Sequence, residues 1–125
     1  MAIIVQKYGG TSIGTVEKIS HVADKIIVEK NNNNDIVVVV SAMDGETNRL
    51  LDLAKKINPE VNGRELDVLI STGEQVTISL LALTLIKKGY DAISLTGSQA
   101  GIVTNTVFNK ARIESINNSI IKNYL

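Results

Sequence analysis

The sequence predicts an α/β fold built on a mainly parallel sheet, and three observations lead there. Residues 36–40 are an unbroken apolar, β-branched run, the pattern of a strand covered on both faces. Between that run and the opening apolar residues 2–5, Val16, Ile19, Val22, Ala23, Ile26 and Ile27 recur at helical spacing. Downstream, two further helical stretches are followed by several short apolar segments. A strand, a helix and a second strand in that order form a βαβ unit, whose crossover is almost always right-handed.

Each element has its own signal. The opening strand runs into Lys7 and Tyr8, and the first helix starts at Gly14-Thr15 with Glu17 in its first turn, where a negative charge complements the helix dipole. Asn31, Asn32, Asn33 and Asn34 form the polar turn that leaves this helix. Residues 47–57 present Leu50, Leu51, Leu53, Ala54 and Ile57 on one side and stop before Pro59, a short amphipathic helix. Residues 65–88 form a second helical stretch, apolar almost all round in its later half and ended by Lys87, Lys88 and Gly89. Residues 91–95 then read as a third strand, 96–101 as a turn, 102–106 and 111–116 as short strands, and Ser119 begins a helix. No internal repeat or dividing linker interrupts the 125 residues, so a single domain is expected.

Composition narrows the functional classes. Thirteen basic and thirteen acidic side chains leave no net field, which argues against nucleic acid or a membrane surface as partner. The absence of cysteine excludes disulfides and thiolate metal sites and fits a reducing compartment. No uninterrupted apolar run reaches the ~18 residues of a membrane span, and a cytoplasmic protein is the expectation. His21, the single histidine, falls on a helix among charged neighbours and reads as solvated.

The densest chemical signal is the string Lys7, Tyr8, Gly9, Gly10, Thr11 and Ser12 at the end of the first strand. A lysine supplies a point charge, paired glycines let backbone N–H groups approach an anion closely, and two hydroxyls add donors, so the string reads as a phosphate site. It is not a Walker A loop, since Gly14 is followed by Thr15 and Val16 where that loop has Lys and Ser or Thr, nor is it a G-x-G-x-x-G turn. In an open parallel sheet ligands sit beyond the carboxyl ends of the strands, which adds residues 41–47 and 96–99 to the candidate set. Taken alone, Ser41 also fits a turn or helix cap and Thr47 an N-cap. Glu74, in the string Ser71-Thr72-Gly73-Glu74 that interrupts an apolar helix, needs a cleft to face. Arg49, Arg64 and Arg112 read as surface or packing residues.

These strings resemble, in order, the sequence blocks of aspartokinases in the amino-acid kinase family. The resemblance covers residues 7–12, residues 37–43 with Thr47, Asn48, Arg49, Leu50 and Leu51, residues 71–75, and residues 95–102 with 110–113. One local departure is Asp44, which precedes Gly45 where many relatives carry glycine directly. The resemblance implies a three-layer α/β/α sandwich with a mainly parallel sheet, of which residues 1–125 are the N-terminal part. The family's downstream glycine-rich block, its nucleotide-holding half and its regulatory ACT domains have no counterpart here, and the chain is expected to be an inactive fragment that self-associates. The implied reaction transfers the γ-phosphoryl group of ATP to the β-carboxylate of L-aspartate, with Mg²⁺ held mainly by the nucleotide phosphates and no protein metal ligands. Lys7 would be the catalytic cation, Tyr8, Gly9, Gly10, Thr11 and Ser12 would bind ATP phosphates, and Ser41 would lie between phosphate and substrate. Thr47 and Glu74 would hold aspartate, Glu74 through its α-ammonium. A homo-oligomer is implied, with ATP and L-aspartate as its small-molecule partners. Two other readings stand beside this one: another amino-acid kinase, disfavoured by the opening string, and a non-catalytic assembly module whose apolar helix faces pair with another chain.

Overall fold

Thr15 fixes where the first helix begins: in the computed structural model, which describes residues 1–125, its hydroxyl accepts the Lys18 backbone N–H at 3.1 Å. Helix α1 (Val16–Asn31) then turns Ile19, Val22, Ala23 and Ile26 inward. It joins strand β1 (Ile3–Tyr8) to strand β2 (Asp35–Val40), and the two strands pair in parallel from Ile3 opposite Asp35 to Tyr8 opposite Val40. The expected βαβ unit is therefore formed.

The sheet has two unequal faces. Tyr8, Ile36, Val38 and Val40 pack on a buried cluster of Ile13, Ile19, Val22, Ala23, Ile26, Leu81 and Leu85, while Ile3, Val5 and Val39 are exposed on the other side. This corrects the expectation that residues 36–40 are buried on both faces. Period-two alternation puts one set of valines toward the buried cluster and the other toward solvent.

Helix α2 (Glu46–Ile57) and helix α3 (Arg64–Lys87) follow, and α3 packs against both α1 and α2 through Leu66, Gly73, Thr77, Leu81 and Leu85. By length and composition α3 is also apolar enough to cross a membrane; in this fold it is the helix the other two share. The polar string at 71–74 does not break it. The Ser71 and Thr72 hydroxyls donate to the Val68 and Leu69 carbonyls at 2.9 and 2.7 Å, and Thr77, fully buried, donates to the Gly73 carbonyl at 3.3 Å.

The third strand expected at 91–95 does not form. No backbone hydrogen bond is made by those residues, which run beside β2 across an apolar cleft of about 1030 Å³ instead of zipping to it. The later strands exist but are shorter than expected: β3 (Ile102–Thr104) pairs antiparallel with β4 (Ile113–Ile116), with an irregularity between Val103 and Thr104. Their connecting loop is tied to the start of α3, where Asn109 accepts the Gly63 N–H at 2.7 Å and donates its own N–H to Asp67 at 2.9 Å. Helix α4 (Ser119–Tyr124) closes the chain.

Candidate functional site

At the carboxyl end of β1 the chain makes a 3-10 turn over Gly10–Ser12. The Gly9 carbonyl accepts from Ser12 N–H at 3.0 Å and the Gly10 carbonyl from Ile13 N–H at 3.3 Å. From the first turn of α1, the Lys18 ammonium donates to the Thr11 carbonyl at 2.9 Å. The N–H groups of Gly9, Gly10 and Thr11 meet no acceptor within the chain. Gly9 has extended backbone (φ −80°, ψ 171°) that any residue adopts, and a Cβ there would touch nothing. Neither the backbone nor the packing of this chain requires glycine at position 9.

The loop after β2 lies against that turn, and glycines set how close it comes. A Cβ on Gly10 would sit 3.0 Å from the Ala42 carbonyl oxygen, and one on Gly73 of α3 would sit 3.0 Å from the Ala42 Cβ. Ala42 is thereby buried between the first turn and the third helix. Ser41 N–H donates to the Tyr8 carbonyl at 3.2 Å, continuing the sheet, and Gly45 with φ 77° starts α2. Neither Ser41 nor Thr47 caps a helix, and both hydroxyls are without a protein partner.

Gly10, Ser41, Ala42, Met43, Asp44, Gly45, Thr47, Asn48 and Glu74 line one cavity of about 310 Å³. Four of the nine residues singled out from the sequence therefore meet: Gly10, Ser41, Thr47 and Glu74. Glu74 also borders the larger cleft beside β2, so the residue stands where the two spaces adjoin, and none of the chain's ion pairs includes it. Lys7, Gly9, Thr11 and Ser12 are exposed around the turn and outside this cavity; Lys7 projects from the open face of the sheet, likewise without a carboxylate partner. The Tyr8 side chain points away from the turn: its ring packs on the core cluster, its hydroxyl donates to Gln6 at 2.9 Å, and burial pushes its pKa up, so its backbone is what borders the turn. The third loop is separate as well. Thr96 and Gln99 bond one another reciprocally at 3.0 and 3.3 Å, and Thr96, Gly97 and Ser98 line the apolar cleft.

Met43, Asp44 and Gly45 belong to the 41–47 loop expected at the site, whereas sequence reasoning missed Asn48 as a lining residue and Lys18 as a partner of the turn. Lys18 lies seven residues from Thr11, in the first turn of α1, and its local pattern held no signal of the contact. Arg49, expected at the surface, is there but not idle: it donates to both Glu46 oxygens at 2.9 and 2.7 Å and holds that carboxyl below its usual range. Glu46 is thus neutralised beside the site, whereas Glu74 is left unpaired.

The sequence matches the family model described as the Amino acid kinase family over residues 2–125. It is similar to an aspartate kinase of Stutzerimonas stutzeri, 60% identical over 116 residues, covering 93% of this chain and 28% of that protein. Aspartokinase 2 of Bacillus subtilis is 52% identical over 125 residues, covering 100% of this chain and 31% of that protein. The crystal structure of an aspartate kinase from Synechocystis superposes with a TM-score of 0.77 at 55% identity, covering 81% of this chain and 17% of that one. The chain thus spans about three tenths of the length of the curated relatives it matches. A family match across nearly every residue, on the α/β scaffold described above, means that this chain belongs to the amino acid kinase family.

Proposed function

We propose that the protein is an aspartate kinase, transferring the γ-phosphoryl group of MgATP to the β-carboxylate of L-aspartate. The observation that carries the proposal is the pairing inside one cavity of free donors, the Gly10 turn and the Ser41 and Thr47 hydroxyls, with the unpaired Glu74 carboxylate. That set complements an amino-acid substrate: donors for its carboxylates and an acceptor for its ammonium. The names of the relatives point to the same substrate.

The chemistry needs little more than this. A substrate carboxylate, with a reference pKa of about 4, is ionised at neutral pH and requires no general base. The barrier is the approach of one anion to another, so catalysis rests on positioning and charge neutralisation. The Gly9–Thr11 N–H groups and Lys7 supply positive potential on the phosphate side, and Gly9 leaves open the space a phosphate would take. Mg²⁺ enters with the nucleotide as part of the substrate. Exposed Ile3, Val5 and Val39 on the sheet, with Val76, Leu83 and Ile86 on α3, support the homo-oligomer, which the mass of the protein in solution tests.

The activity test is trapping of aspartyl phosphate as its hydroxamate from MgATP, L-aspartate and hydroxylamine by the full-length protein. Lys7→Ala should lower kcat by about 10²–10³, the usual cost of one charge-stabilising donor. A kcat within about threefold of wild type would remove Lys7 from the mechanism. An absence of hydroxamate with aspartate, alongside phosphorylation of another amino acid, would replace the substrate.

A further inference from the structure

The turn after β1 is polarised by three contacts, and one of them comes from a side chain. Gly9 and Gly10 carbonyls are taken up by Ser12 and Ile13 N–H groups, and the Thr11 carbonyl by the Lys18 ammonium at 2.9 Å. Every carbonyl of residues 9–11 is therefore engaged, while every N–H of the same residues is free. The first two carbonyls are held by the turn itself. The third has no backbone donor: its peptide is anchored at the nitrogen end by Ser12 N–H on the Gly9 carbonyl at 3.0 Å and at the oxygen end by Lys18 alone, so loss of Lys18 removes one of two anchors and lets the oxygen tilt toward the free N–H groups. A carbonyl oxygen turned that way repels an anion, since it sets partial negative charge beside N–H groups that carry partial positive charge.

We propose that Lys18 is a positioning residue for the phosphate-binding turn, holding the Thr11 carbonyl away from the anion side so that the Gly9, Gly10 and Thr11 N–H groups stay aimed outward. Lys18 is well placed for this. Its backbone N–H is fixed by the Thr15 hydroxyl at 3.1 Å at the start of α1, and its ammonium has no carboxylate partner to draw it off. The same contact joins the turn to the helix that follows, so the turn inherits its orientation from α1. The inference rests on the phosphate reading of the turn given above and assigns to it a residue that does not itself touch the phosphates.

The test uses the full-length protein, selectively ¹³C,¹⁵N-labelled at glycine, threonine and serine, with Lys18→Met and Lys18→Arg and with MgATP as the probe. Without nucleotide, Lys18→Met should shift the Thr11 carbonyl ¹³C resonance, and Lys18→Arg should keep it near wild type. In MgATP titrations followed at the Gly9, Gly10 and Thr11 amides, Lys18→Met should bind about fivefold more weakly, the share expected of one exposed charge-assisted hydrogen bond, with Lys18→Arg restoring affinity. A role through distant charge alone would vanish at 0.5 M salt, where the Debye length falls to about 4 Å; a positioning role leaves the ratio between variant and wild type in place. An unmoved Thr11 carbonyl, or equal affinity in the Met variant of a responsive chain, overturns the role of Lys18 and leaves the phosphate reading standing. Turn amides that ignore MgATP in the wild-type full-length protein overturn that reading and the inference together.

Discussion

Ala42 is pressed from two sides, and Gly73→Ala measures how hard. On an isolated helix this change is favourable by about 1 kcal/mol, because alanine loses less backbone entropy than glycine. Here the new Cβ would lie 3.0 Å from the Ala42 Cβ, whereas packed carbons sit about 3.5–4.0 Å apart, so roughly half an ångström or more must be found. The loop cannot simply retreat, since the Ala42 carbonyl already stands 3.0 Å from where a Gly10 Cβ would be, and Ser41 N–H is bonded to the Tyr8 carbonyl. Overpacking of this kind costs about 1–3 kcal/mol, so the single variant should be destabilised by about 1 kcal/mol net. Ala42→Gly removes the obstructing methyl and on its own should cost about 1.5 kcal/mol in lost burial and added chain entropy. In that background Gly73→Ala should recover its helical gain of about 1 kcal/mol, giving a coupling of about 2 kcal/mol between the two sites. The assay is a double-mutant cycle by urea denaturation of the four chains, read by circular dichroism. Additivity within about 0.5 kcal/mol, or a stabilised Gly73→Ala single variant, would refute the steric argument.

Three further outcomes follow from named contacts. Glu74→Gln in the full-length protein should raise KM for aspartate by about tenfold or more, the worth of a charge-assisted hydrogen bond, and leave KM for ATP nearly unchanged; a rise in both, or in ATP alone, puts Glu74 in the wrong subsite. Thr15→Ala removes the α1 cap and should cost about 1 kcal/mol of stability, recovered in large part by Thr15→Ser, as thermal melts of the three chains would record. The Glu46 carboxyl is depressed chiefly by its hydrogen bond from Arg49, so its contribution to stability is present above its ordinary value of 4.5 and is lost as pH falls through the lower folded value. Arg49→Met should therefore flatten the acid side of the Tm–pH profile, and an unchanged profile would mean that the pair is without thermodynamic effect.

Helices were legible because their signals are local. Thr15, Glu17 and the spacing from Val16 to Ile27 specified α1 within a residue, and Gly89 marked the end of α3. The loops at the strand ends were legible as a set, since parallel topology gathers carboxyl ends together, and Gly10, Ser41, Thr47 and Glu74 do meet. Residues 91–95 misled because alternation records what a segment is able to pair with, and pairing also needs a neighbour at hydrogen-bonding distance. The burial of residues 36–40 misled for a related reason: four consecutive valines fit a strand covered on one face as readily as on two. Tyr8 was placed with the phosphate site by its position in a motif, whereas the pleat decides which way its ring points. Lys18 escaped notice because nothing in its local pattern distinguishes a lysine that reaches back to a carbonyl from one that is merely solvated.

The valines of β2 also have a meaning for alignment. Val37, Val38, Val39 and Val40 offer the same side chain at every step, so sliding β1 along them by two residues would exchange like for like over most of the strand. Correct alignment is therefore encoded at the extremities. At one end Ala2 N–H donates to the Asn34 side chain at 3.2 Å and Asp35 N–H to the Ala2 carbonyl at 2.8 Å, with Lys30 holding Asp35 at 3.0 Å; at the other, Ser41 N–H meets the Tyr8 carbonyl. The sheet works like a ruler without graduations that is read only against its two end stops. The opposite edge of β2, facing residues 91–95, has the same ungraduated valines, and a strand that meets it must bring its own marks.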